Sequence, residues 1–98
     1  MTRITTHPGE ILREEFMVPL GLSANALARA LKAPPNRITA IIAAENPRAI
    51  TPDTALRLSR YFGTTPQLWL NLQQAHDLSA AIVQRCAHIN AVVQPRAA

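Results

Sequence analysis

Leu22-Ser23-Ala24-Asn25-Ala26-Leu27-Ala28-Arg29-Ala30-Leu31-Lys32-Ala33-Pro34-Pro35-Asn36-Arg37-Ile38-Thr39-Ala40-Ile41-Ile42 is the stretch that decides the fold. Ser23 is a helix-capping residue, because its hydroxyl can accept from an early backbone N–H. Behind it, Leu27, Ala28 and Leu31 recur at three- and four-residue steps and make one buried face over roughly 24–32. Ala33-Pro34-Pro35 closes that helix. Proline has no N–H and its ring clashes inside a helix, yet it is favoured in the first turn of the next one. A second helix is therefore predicted from Pro35 to Ala44, stopped by Asn46-Pro47. Its inner face is Ile38, Ile41 and Ile42, while Asn36, Arg37, Thr39 and Ala40 point elsewhere.

Two short helices joined by a tight turn are the arrangement of a helix-turn-helix. There the first helix lies across the phosphate backbone, and the second shows its N-terminal residues to base edges in the major groove. The residues at the start of the second helix suit that task. Pro35 opens it. Arg37 can bond bidentately to guanine or pair with phosphate, and Asn36 can bond to adenine or cap the helix. Thr39 can meet a thymine methyl or a phosphate, and Ala40 is small enough to allow close approach. The spacing alone is shared with helical proteins that never touch DNA, where Arg37 is a solvated surface residue.

The flanks repeat the same punctuation. His7-Pro8-Gly9-Glu10 opens a first helix with a favoured first-turn proline, and Glu10, Glu14 and Glu15 suit its positive N-terminus. Ile11, Leu12 and Phe16 form its stripe, and Pro19 with Gly21 is expected to end it. Thr51-Pro52-Asp53 opens a fourth helix, lined by Ala55, Leu58 and Phe62 and terminated by Gly63. Thr65-Pro66 opens a fifth, carrying Leu68, Trp69 and Leu72. No Gly or Pro then interrupts the chain before Pro95, and Leu68, Ala75, Ile82 and Ile89 recur at seven-residue spacing, flanked by Leu72, Cys86 and Val93. That segment reads as one long helix, or as two with Asp77 capping the second. Its stripe has three uses: packing on the chain's own core, forming a dimer interface, or holding a partner protein.

The expected organisation is thus all-α, with no substantial sheet. Residues 1–6 form a flexible N-terminus, 7–76 the helix-turn-helix domain, 77–94 a helical extension for core or dimer packing, and 95–98 a frayed tail. At 98 residues one domain with a real core is expected, and 48% hydrophobic composition suits it. Aromatics are few (Phe16, Tyr61, Phe62 and Trp69), so the core must be mostly aliphatic. The net charge of +4, carried by Arg except for Lys32, is compatible with nucleic acid and equally with simple solubility. A single cysteine, Cys86, excludes an intrachain disulfide and fits a reducing compartment; on the apolar stripe it reads as a small buried hydrophobe. No stretch has the length of a signal peptide or a membrane span, so the expected location is cytoplasmic, with no membrane partner. Catalysis finds no constellation: His7, His76 and His88 are far apart in sequence, and no carboxylates pair at a useful spacing. Neither cofactor nor metal is expected. His7 reads as a helix start and Trp69 as core filling.

Residues 7 to 78 resemble the HigA (VapI-like) antitoxins, of the xenobiotic-response-element class of helix-turn-helix proteins. The resemblance rests on His-Pro-Gly-Glu-Ile-Leu-Arg-Glu-Glu-Phe (7–16), Pro-Leu-Gly-Leu-Ser (19–23), Asn-Ala-Leu-Ala-Arg-Ala-Leu (25–31) and Pro-Pro-Asn-Arg-Ile (34–38). It continues through Arg-Ala-Ile-Thr (48–51), Asp-Thr-Ala-Leu-Arg-Leu (53–58), Arg-Tyr-Phe-Gly-Thr (60–64) and Trp-Leu-Asn-Leu-Gln (69–73). It implies a five-helix, lambda-repressor-like domain and a homodimer that binds a palindromic operator in its own promoter. It also implies a HigB-type toxin as partner and no enzymatic activity. On that reading Asn36, Arg37 and Thr39 meet bases, with Pro35 and Ala40 beside them, and Ser23, Asn25 and Arg48 hold phosphates. The two reading helices would lie in successive major grooves, roughly 34 Å apart.

Two departures from the family pattern stand out. Ala24 occupies a position where the family usually has Gln, and Ala44-Glu45-Asn46-Pro47 replaces the usual Asn-Gly-Lys/Arg before Arg48. Both remove phosphate-facing donors. They leave open a module that sequesters toxin with weakened DNA binding, alongside a stand-alone regulator without a toxin.

Overall fold

The computed structural model describes residues 3–97. Among them there are five helices and no strand. α1 covers residues 8–20 in three registers: α-helical Pro8–Ile11, π-helical Leu12–Met17 and α-helical Val18–Leu20. α2 is Ala24–Leu31, α3 Pro35–Ile41, α4 Pro52–Phe62 and α5 Pro66–Val92. α2 packs on α3 and α4, while α5 packs on α4 and on the start of α1.

The start signals act as their chemistry predicts. Ser23, Thr51 and Thr65 each accept a backbone N–H three residues on, at Ala26, Thr54 and Leu68. Gly21 and Gly63 stop α1 and α4 in the left-handed region, with φ of 63° and 74°. Lys32 performs the same stop for α2 with φ 57°, its own N–H reaching Arg29 O and that of Ala33 reaching Ala28 O.

Of the helix ends, only that of α3 differs from expectation; inside α1 a proline is tolerated, and of the two readings open for α5 one holds. Pro19 lies inside α1 and does not end it. In a regular α-helix its ring would clash with the carbonyl four residues back. Here the turn before it is widened, with Val18 N–H bonding to Arg13 O, and it accommodates that ring. α3 stops at Ile41, three residues before Ala44. Its last carbonyls are claimed from outside: Arg48 N–H bonds to Ala40 O at 2.8 Å, and Arg13 Nη1 to Ile42 O at 3.5 Å. α5 is one helix; Asp77 caps nothing and instead accepts from Gln73 Nε2 at 3.0 Å.

The core is Leu12, Met17, Leu27, Ala28, Leu31, Ile38, Ile41, Ile50, Ala55, Leu58 and Trp69. Full burial of each large aliphatic side chain contributes about 1.5–3 kcal/mol. Helices of eight and seven residues such as α2 and α3 do not persist alone, so this cluster holds them in place. Phe16 bridges Phe62 and Trp69, with ring centroids 4.9 and 5.1 Å away, and the indole N–H donates to Thr64 Oγ1.

Two contacts fix α1. Gly9 lies directly against the Ile41 carbonyl, leaving no room for a Cβ. His7 caps the helix, its Nδ1 accepting from Gly9 N–H at 2.9 Å. The segment ahead, expected to be free, is tied at Thr5. Its N–H donates to Ser79 Oγ at 2.9 Å, and its carbonyl lies 2.7 Å from His76 Nδ1. Residues 1, 2 and 98 lie outside the described residues.

Packing of α5 on the chain's own core ends near Ser79 and Ala80. Beyond them every described residue is exposed except the half-buried Cys86. The expected core role of residues 77–94 therefore stops at their first turn, and Cys86 is not a core residue. A 27-residue helix is about 40 Å long, and its free half gives the molecule its 53 Å long axis.

Candidate nucleic-acid interface

Burying Leu27 and Leu31 of α2 against Ile38 and Ile41 of α3 turns the remaining faces of both helices outward. Asn25, Asn36 and Thr39 are exposed, as is the capping Ser23, while Arg37 and Ala40 are half-buried. Pro35 is the first residue of α3, with Pro34 extended before it. Thr39 donates its hydroxyl proton to Asn36 O at 3.1 Å, which leaves its methyl and its oxygen lone pairs for a ligand. Arg48 is exposed, and Arg37 and Arg48 line one shallow depression together with Ile41, Ala49, Thr51 and Thr54. The structure thus brings the expected base-reading arginine beside the expected phosphate-holding one.

Arg37 is not a free surface arginine. Its Nη1 donates to Asp53 Oδ2 at 2.6 Å. Arg57 Nε donates to the same oxygen at 2.9 Å. Arg57 Nη1 also bonds the carbonyls of Leu31 and Lys32, at 2.8 and 3.1 Å, where α2 ends. The hydrogen bonds from Arg57 and then Arg37 hold the Asp53 carboxyl below the usual carboxylate range. Sequence reasoning missed this cluster. The Asp53–Arg57 pair has helical i,i+4 spacing and was open to detection, whereas the partner of Arg37 lies 16 residues away on another helix.

The loop between α3 and α4 is anchored from below. Ile50 N–H donates to the buried Gln73 Oε1 at 2.8 Å. That bond fixes the chain just after Arg48. Glu45 is exposed in this loop and Asn46 takes a left-handed conformation, φ 48°.

Residues 12–69 match the helix-turn-helix family model. The chain is 60% identical over 75 residues to virulence-associated protein I of Dichelobacter nodosus, covering 76% of this chain and 68% of that protein. It is similar to the structure of an addiction module antidote protein of the HigA family from Coxiella burnetii, with TM-score 0.83 and 49% identity over 93% of this chain and 97% of that one. Antitoxin HigA of Pseudomonas aeruginosa, solved with the higBA promoter, superposes with TM-score 0.87 and 40% identity, covering 97% of this chain and 100% of that one. The chain spans about two thirds of the length of the curated relatives it matches. Sequence, fold and the outward-facing α3 agree: this chain belongs to the HigA (VapI-like) antitoxin family of helix-turn-helix proteins.

Proposed function

We propose that the chain is the antitoxin of a type II toxin–antitoxin module. It acts in the cytoplasm as a homodimer that binds operator DNA, represses its own operon and neutralises a HigB-type toxin. It works by binding and not by catalysis. The observation that carries the DNA-binding half is the face of α3. Its apolar side is spent on the core, and Asn36, Arg37, Thr39 and Ala40 are left on its other side with Arg48 near Arg37, which supports their reading bases. Ser23 and Asn25 are exposed at the start of α2, which supports their holding phosphates if that helix crosses the backbone.

The projecting part of α5 supports the dimer. Leu78, Ile82, Ile89 and Val92 share one face and are each 37–60% exposed, and Arg85 is the one formal charge between Leu78 and Val93. In a two-fold dimer the same patch meets itself, so such a stripe can be buried against its own copy. The toxin is supported by family membership and by the P. aeruginosa relative, whose structure carries a higBA promoter.

The test is a mobility shift with duplex DNA from the promoter upstream of the chain's gene, at low and physiological salt. A shift that weakens steeply with salt is expected, because arginine–phosphate contacts release counterions. No shift at low salt overturns the DNA-binding reading and leaves a module that only sequesters toxin.

A further inference from the structure

We propose that Asp53 is a positioning residue that sets DNA specificity by orienting Arg37. The inference rests on Arg37 reading bases. Arg57 bonds the carboxylate oxygen that Arg37 uses and itself bonds the Leu31 and Lys32 carbonyls, so the Asp53 carboxylate is held from two sides. A chain of contacts thus runs from the end of α2 through Arg57 and Asp53 to the guanidinium on α3. Nη1 of Arg37 is fixed at 2.6 Å from Asp53. A guanidinium has five N–H donors in one plane, so holding one narrows the orientations open to the rest.

The charge balance says what such an arginine selects. Arg37, Arg57 and Asp53 together carry one net positive charge where two arginines alone would carry two. A phosphate is attracted by charge from any direction, so the carboxylate weakens that attraction. A guanine edge is a pair of neutral acceptors at fixed spacing, and it profits from donors already aimed. Asp53 therefore lowers affinity for DNA in general and raises preference for the operator.

This gives opposite signs for two measurable affinities. Asp53→Asn keeps shape and removes charge. It should bind a random-sequence duplex a few-fold more tightly, steepen the salt dependence by about two units of slope, one for each copy in the dimer, and reduce the ratio of promoter to random affinity at least tenfold. Asp53→Glu keeps the charge but moves the carboxylate, so it should lose discrimination with the salt slope unchanged, which keeps the test open if the Asn variant folds poorly. In an Arg37→Ala background, Asp53→Asn should leave the ratio unaltered. The proposal is overturned if both affinities fall together, as loss of fold would produce, if the ratio survives both variants, or if it drops equally without Arg37. If Arg37→Ala alone leaves promoter affinity intact, the reading of α3 fails first, and that result is separate from the behaviour of Asp53.

Discussion

Replacing Gly9 by Ala offers a test in which the sign of the effect decides. Gly9 is in the first turn of α1 and has no left-handed φ. On backbone grounds alone, Ala there should stabilise the fold by about 0.4–1 kcal/mol, through lower freedom of the unfolded chain. The structure predicts the opposite. The added methyl would overlap the Ile41 carbonyl oxygen, with the Ile41 carbonyl carbon at 2.8 Å and His7 Nδ1 at 3.0 Å. The obstacle is mainly backbone at the end of α3, which cannot rotate aside, and overpacking of this kind costs about 1–3 kcal/mol. Disturbing the His7 cap adds about 1 kcal/mol. The net expectation is a loss of about 1–3 kcal/mol, which for a domain of this size lowers the melting temperature by roughly 5–20 °C. Thermal unfolding followed by helical circular dichroism measures it at fixed protein concentration. A melting temperature equal to or above that of the unmodified chain refutes the close approach of α1 to α3.

Other outcomes follow from individual contacts. His7 is held below the usual imidazole range by burial first and by His76 second, against a weaker pull from Asp77. The unfolded chain then binds the extra proton, so stability should fall as pH drops below about 6.5; melting curves across pH 5–8 should show that slope, and His7→Asn should flatten it. Gln73→Leu leaves the Ile50 N–H buried without its acceptor and should cost about 1–3 kcal/mol in denaturant unfolding; a midpoint within experimental error of the parent contradicts the anchor. Ile82→Glu with Ile89→Glu places charge on the exposed stripe of α5. It should give a monomer by light scattering while the helical signal persists, and an unchanged dimer mass would place the interface elsewhere.

Much of this architecture was legible because it is encoded locally. Ser23, Thr51 and Thr65 cap where their hydroxyls can reach an N–H three residues on, and Gly21 and Gly63 stop helices that need a left-handed residue. What was not legible depends on partners distant in sequence. α3 ends at Ile41, and donors distant in sequence, the Arg48 N–H and Arg13 Nη1, satisfy the Ala40 and Ile42 carbonyls at that end. Pro19 is tolerated because the turn before it widens, and no composition rule predicts that. Lys32 stops α2 without the glycine that would have announced it. The reading residues of α3 were visible as a pattern, yet the pattern could not show that Arg37 is already engaged by a carboxylate from α4. The stripe of α5 was visible too, but periodicity alone could not divide it at Ser79 into a packed half and an exposed half.

The claim on which the account depends is that α3 reads DNA through Arg37. The direct measurement is the affinity of Arg37→Ala for the chain's own promoter, compared with the unmodified protein at one fixed salt concentration. Loss of a bidentate arginine–guanine contact is worth about 1–3 kcal/mol; the dimer loses two, so affinity should fall by roughly 25-fold or more, with melting behaviour retained. An unchanged affinity in a folded variant contradicts it.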